Sequence, residues 1–202
     1  IEAHGYPKPF ETYAPFYALI DFDNQDNTSQ DDALKLYSEC ADKKLVLDGV
    51  MSESIAQSQN MWKLREDISE TLWHYQPYKN DLSVRISKMP KFLDEVGSFI
   101  KKSYPNFEVI WYGHIGDGNL HLNILKPATL NKSEFKSLCD DISMNLGQLV
   151  ESYDGSISAE HGVGILKRDY LKFSKSSGEI SLMAEVKKVF DPKGILNPGK
   201  LL

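Results

Sequence analysis

The sequence predicts an α+β fold: a ferredoxin-like antiparallel sheet covered by helices, followed by a C-terminal helical segment. Three observations carry this expectation. Apolar or alternating stretches of strand length take turns with longer stretches whose apolar residues recur by threes and fours. Two of the strand-like stretches are separated only by a glycine-rich loop at residues 113–119. The order reads strand, helix, strand, helix, then strand, helix, hairpin, helix, strand, which is the α+β pattern of an antiparallel sheet covered by helices. A duplicated ferredoxin-like unit is compatible with that order.

Taken in turn, residues 15–22 (PFYALIDF) form an apolar and aromatic run suited to a buried strand, and residues 23–31 are polar turn material. Residues 30–44 set Ala33, Leu34, Leu36, Tyr37 and Cys40 at helical spacing. Residues 45–51, with Asp48-Gly49 inside, read as an interrupted strand. Across residues 54–74, Ile55, Met61, Trp62, Leu64, Ile68 and Leu72 predict one amphipathic helix, with Arg65 beside its buried face and Ser69 one turn further on. Residues 81–87 alternate Leu82, Val84 and Ile86 with polar neighbours, as a strand does. Residues 89–102 predict a helix that tolerates Pro90 in its first turn. Residues 107–112 and 120–125 give the hairpin strands, 133–153 a helix, 156–159 a short strand, and 161–171 and 178–190 two closing helical patterns.

Composition excludes several classes. The 202 residues are 41% hydrophobic and 26% charged, values of one globular domain or two small joined ones. No apolar run approaches the roughly 20 residues that cross a bilayer. With 23 Lys+Arg against 29 Asp+Glu the net charge is −6, and no basic stripe interleaved with aromatics occurs, so a nucleic-acid partner is not expected. Cys40 and Cys139 have no paired spacing, which argues against a disulfide scaffold or a cysteine-rich zinc site and for reduced thiols in an intracellular protein. The chain starts Ile1-Glu2-Ala3-His4 without an initiator Met, as a piece of a longer protein would.

Chemistry concentrates in two glycine-rich stretches, GHIGDGNLHLNI at 113–124 and SAEHGVG at 158–164. On a strand, His121 and Asn123 share a face, and His114 can come opposite His121 across the hairpin. Two imidazoles with Glu160 make the kind of three-ligand set that leaves zinc or a similar divalent ion an open position. Turn histidines and a solvated Glu-His pair fit the same spacing, so both readings stay open at this level. GDGN at 116–119 lies between strands and opens no helix, which speaks against a phosphate loop.

GHIGDGNLHLNI, SAEHGVG and the closing DPKGILNPGKLL, in that order, resemble the C-terminal part of the FAD-linked oxidases of the vanillyl-alcohol-oxidase type. Within that superfamily the similarity is greatest to the D-2-hydroxyglutarate and D-lactate dehydrogenases. The resemblance implies that residues 1–202 are a substrate and metal domain, with FAD held mainly by an N-terminal domain outside this chain. It implies His114, His121 and Glu160 as ligands of Zn²⁺ or a similar divalent ion, and His161 as the catalytic base. Arg65 in WKLREDIS and Lys79 in YKNDLS match substrate-binding cations. Ser69, standing where the family usually has Thr, and Asn123 match polar substrate contacts, and Asn197 matches a flavin contact. Without the resemblance, Arg65 and Lys79 read as ordinary surface charges.

The implied substrate is a small D-2-hydroxy acid, D-2-hydroxyglutarate ahead of D-lactate, because Arg65 and Lys79 offer two cations to a dicarboxylate. The other partner is the protein's own flavin domain, and a homodimer is compatible with the family. The resemblance favours the mitochondrial matrix, with the cytoplasm as the alternative. The rival readings are a zinc hydrolase using the same ligands and an interaction module that has kept the fold. The chain alone is expected to be inactive.

Overall fold

The computed structural model describes residues 4–23 and 28–202, which group into two compact units, Ile1–His74 and Tyr75–Leu202. Among the described residues are six α-helices and three strands, an α+β composition as the sequence predicts.

The first unit is helical: α1 (Ser29–Asp42), α2 (Ile55–Glu66) and α3 (Ile68–Trp73). The Ser54 side chain caps α2 by accepting from the Gln57 N–H at 3.3 Å. Residues 15–22 and 45–51 form no strand, contrary to expectation, and Phe16, Tyr17, Ile20, Leu45 and Leu47 are exposed. An apolar run becomes a buried strand only with a neighbouring strand to satisfy its backbone and a layer to cover it, and among the described residues neither segment pairs with a strand. Leu72 is the one fully buried residue of this unit among those described, so the apolar side of α1 (Leu34, Leu36, Tyr37) also lies exposed. The polar turn expected at 23–31 falls partly outside the described residues.

The single helix expected over 54–74 is broken at Asp67, which closes α2 and precedes α3. Tyr6 donates to the Asp67 carboxylate, and the Asp67 carbonyl accepts from the Thr71 hydroxyl at 2.8 Å. Asp has low helix propensity and favours helix boundaries over interiors, which suits the break at this position. Arg65 is half-buried at the end of α2, and Ser69 is exposed on α3, so the two do not share one continuous helix face.

The second unit holds the sheet: β1 (Tyr78–Ser83), β2 (Val109–His114) and β3 (Asn119–Ile124), all antiparallel in the order β1-β3-β2. α4 (Met89–Ser103) connects β1 to β2, with Pro90 in its first turn, and α5 (Lys132–Ser152) follows β3. A capping box between Asn131 and Glu134 starts α5. Ser156 bridges Ser83 on the outer edge of β1, where the fourth strand of a ferredoxin-like unit belongs, but the strand expected at 156–159 amounts to that bridge. β1 begins three residues before the expected strand and ends early, at Ser83, because Arg85 turns the chain into a short 3-10 helix, Ile86–Lys88. The helical pattern at 161–171 resolves into a 3-10 helix at Arg168–Phe173, and α6 (Ser177–Phe190) follows.

Strand alternation sorts the sheet into two faces. Leu82, Leu120, Leu122 and Ile124 point to the helix side and pack with Phe92, Val96 and Ile100 of α4 and Phe135, Cys139, Ile142, Leu146 and Val150 of α5. Each such side chain contributes about 1.5–3 kcal/mol of burial. The residues between them are polar and point the other way. The register sets Lys79 opposite Asn123, Asp81 opposite His121, and Ser83 opposite Asn119, while Tyr112 and His114 on β2 face His121 and Asn119. The apolar face thus anchors a rigid platform whose reverse carries the chemistry.

Candidate active site

On that platform His114 ends β2 and His121 sits at the centre of β3, with the 113–119 loop between them. The loop closes through a short 3-10 turn, Ile115–Asp117, and Gly118 in the left-handed region at φ 71°. The Val84 N–H donates to the Gly118 carbonyl at 3.1 Å, and a side chain at 118 would collide with the Val84 carbonyl. The glycine spacing is therefore set by close packing of the hairpin against the end of β1.

Glu160 and His161 arrive on the segment after the Ser156 bridge. Asp81 fastens them: its Oδ2 accepts from the backbone N–H of Glu160 at 2.9 Å and of His161 at 3.0 Å. Lys167, half-buried, adds a further tie by donating from Nζ to the Ile157 carbonyl at 3.0 Å and the Asp81 carbonyl at 3.4 Å.

The side chains then converge. His114 Nδ1 lies 2.8 Å from Glu160 Oε1, and His121 Nε2 lies 3.7 Å from Glu160 Oε2. One ligand atom from each of His114, His121 and Glu160 lies within 4.8 Å of the others. The rings of His121 and His161 stack, with centroids 5.2 Å apart and planes inclined by 13°. His121 is buried, whereas His114, Glu160 and His161 are open to solvent, so the cluster has a sealed floor and an accessible mouth.

The electrostatics favour a carboxylate-rich, cation-ready site. Burial works to raise the Glu160 carboxyl, but the His114 hydrogen bond, the neighbouring Asn119 amide and the charge of the two imidazoles outweigh it and hold it below its usual range. Burial likewise opposes ionisation of Asp81, and the two backbone N–H donors, followed by Lys167 and His161, overcome it. Two buried carboxylate and amide oxygens on this face, Asp81 Oδ1 and Asn123 Oδ1, have no hydrogen-bond partner among the described residues.

The structure therefore brings together five of the nine residues singled out by sequence: His114, His121, Glu160, His161 and, in the next register row, Asn123. Lys79 joins them as the partner of Asn123, exposed on the same face of the sheet rather than on a loop. Arg65 and Ser69 belong to the other unit. Asn197 is exposed in the turn after α6, at φ 44°; the Asp191 carboxylate organises that turn by accepting from the N–H groups of Ile195 and Leu196 at 2.9 and 3.0 Å. Sequence reasoning missed Asp81, Asn119 and Lys167. Asp81 stands among polar residues in Lys79-Asn80-Asp81, where nothing in the local pattern marks it out.

A family profile described as "FAD linked oxidases, C-terminal domain" matches residues 1–201, and the chain belongs to that family. It is 54% identical over 195 residues to a D-2-hydroxyglutarate dehydrogenase of Stutzerimonas stutzeri (strain A1501), covering 96% of this chain and 42% of that protein. It is 47% identical over 199 residues to the D-2-hydroxyglutarate dehydrogenase of Xanthomonas citri pv. viticola, covering 98% and 42%. A mitochondrial D-2-hydroxyglutarate dehydrogenase of Danio rerio is 36% identical over 193 residues, covering 95% and 35%. The chain thus spans about 42% of the length of the first two curated relatives. No helix among the described residues is long and apolar enough to cross a membrane.

Proposed function

We propose that this chain is the substrate and metal domain of an FAD-dependent dehydrogenase that oxidises a D-2-hydroxy acid, D-2-hydroxyglutarate ahead of D-lactate, to the 2-oxo acid. The observation that carries the reading is the convergence of His114, His121 and Glu160 beside the stacked ring of His161. The donor set fits a divalent ion such as Zn²⁺. Two imidazole nitrogens and one carboxylate are ordinary zinc ligands, and the about 3.3 Å that would separate them around a tetrahedral ion lies between the 2.8 Å from His114 to Glu160 and the 3.7 Å from His121 to Glu160. With three protein ligands, a position is left for substrate oxygen.

FAD, when bound, supplies the two-electron acceptor, and a divalent ion, when bound, supplies positive charge beside the substrate oxygens. The protein's residues do the rest. His161 has its Nδ1 edge 3.8 Å from Asp81 Oδ2, which leaves Nε2 as the nitrogen facing away from the protein. That nitrogen accepts the 2-hydroxyl proton while the C2 hydrogen departs with its electron pair, and C2 becomes a carbonyl. Lys79 and Arg65 bind carboxylates, Arg65 by its planar fork, with Asn123 and Ser69 as polar contacts; for Arg65 and Ser69 the support is the family resemblance alone. Asn197 is the group of this chain assigned to the flavin, again on resemblance. The remaining flavin contacts fall to a separate N-terminal domain, in keeping with the length of the relatives. The Danio rerio relative, named as mitochondrial, supports a mitochondrial address, with the cytoplasm as the alternative.

The test is anaerobic flavin reduction by D-2-hydroxyglutarate in the full-length protein. His161→Ala is expected to slow it by about 10²–10⁴-fold, the usual contribution of a general base. Reduction at the wild-type rate would overturn the role of His161. Ester or amide hydrolysis without flavin reduction would replace the whole reading by that of a zinc hydrolase.

A further inference from the structure

Asp81 has no assigned role, yet more of the site hangs on it than on any ligand. It is 2% exposed at the centre of β1, paired in register with His121. Its two oxygens have separate tasks. Oδ2 is fully engaged by the backbone N–H groups of Glu160 and His161. Oδ1 has no hydrogen-bond partner, is buried, and lies 3.5 Å from His121 Nδ1, a little beyond an ordinary hydrogen bond. On the far side of the same ring, Nε2 faces Glu160 Oε2 at 3.7 Å.

An imidazole can carry its single proton on either nitrogen, and its ligating nitrogen must be the one without it. A carboxylate accepts and cannot donate, so a buried Oδ1 beside Nδ1 favours the proton there. Metal-binding histidines commonly show this arrangement, with a carboxylate behind the ring fixing tautomer and orientation. We infer that Asp81 is the positioning residue of this site, its Oδ2 pinning the Glu160–His161 segment while its Oδ1 holds His121 as the Nδ1–H tautomer with Nε2 presented to the ion. The inference rests on the metal reading above. It adds that ligand presentation is set from the buried edge of the sheet and precedes metal binding.

The substitution Asp81→Asn separates the two tasks. The amide oxygen can still accept from both backbone N–H groups, whereas the amide nitrogen becomes a donor facing His121 and draws the ring proton to Nε2. The experiment is long-range ¹⁵N–¹H NMR of the full-length protein labelled in its histidine rings, with zinc affinity by chelator competition and thermal melting alongside. Zinc-free wild type is expected to show His121 as Nδ1–H. Asp81→Asn is expected to melt normally, to shift His121 to Nε2–H and to bind zinc about 10–100-fold more weakly. In a His121→Ala background the same substitution should change zinc affinity by less than about twofold. Unchanged tautomer with unchanged affinity would overturn the inference. So would weaker binding with Nδ1–H retained, which would mean that Asp81 acts through the fold alone. Should the variant not fold, an Nε2–H His121 in zinc-free wild type overturns it equally. Wild type that binds no zinc but shows Nδ1–H would refute the metal reading and leave the positioning by Asp81 standing.

Discussion

Lys79 shows how a residue's meaning depends on register. In the sequence it reads as a surface charge; on β1 it stands opposite Asn123, one row from the pair Asp81 and His121, with its side chain exposed on the face that carries the histidines. A cation so placed suits the second carboxylate of a dicarboxylic substrate. Lys79→Ala is therefore expected to raise the KM for D-2-hydroxyglutarate about 10–100-fold, the worth of a charge-assisted hydrogen bond, while changing the KM for D-lactate little. Steady-state kinetics with both acids checks this. Equal losses for both would assign Lys79 to the carboxylate that the two substrates share. His121 and Asn123 were legible at this scale because their polar side chains interrupt an apolar strand with period two. Asp81 was not, since pairing across strands is invisible to a reading made one segment at a time.

At the scale of elements, the second unit was largely readable: α4, α5, α6 and the hairpin all lie within a few residues of expectation. Their patterns are strong because each element buries one face against the others. The misses have a common cause. Residues 15–22 and 45–51 have the composition of strands but pair with no strand among the described residues, and composition cannot report a missing neighbour. The break at Asp67 and the early end of β1 were hidden for another reason, that local hydrogen bonds and turns compete with a periodic pattern without disturbing it. The 113–119 loop makes a sharper prediction. Gly118 combines a left-handed backbone with contact on the Val84 carbonyl. Gly118→Ala is expected to destabilise the second unit by about 1–3 kcal/mol, measured by urea unfolding, and to weaken zinc binding because His114 sits at the loop's other end. Gly116→Ala, where a side chain meets open space, should do neither.

At the scale of the whole molecule, the apolar layer between the sheet and α4 and α5 has its own pH signature. Burial, with the charge of Asp140 and against that of Lys136, pushes the Cys139 thiol up to about 12. Below the ordinary thiol range, near pH 8.5, the folded and unfolded chains both keep this proton and the effect is constant. Between there and about pH 12 the unfolded chain ionises first, so stability falls as pH rises. Urea unfolding should show that decline, and Cys139→Ala should flatten it; a slope indifferent to the substitution would contradict it. The same layer holds the platform on which the site is built, so the histidine face can remain polar, open and incompletely bonded while the opposite face supplies stability.

The central claim is that His114, His121 and Glu160 form a metal site on which oxidation of the hydroxy acid depends. The direct measurement is a zinc titration of the metal-free, flavin-loaded full-length protein, following flavin bleaching by D-2-hydroxyglutarate. Bleaching should return in proportion to zinc and saturate at one equivalent per chain, and His121→Ala should not recover at any zinc concentration that wild type needs. Full bleaching by the zinc-free protein would contradict the account.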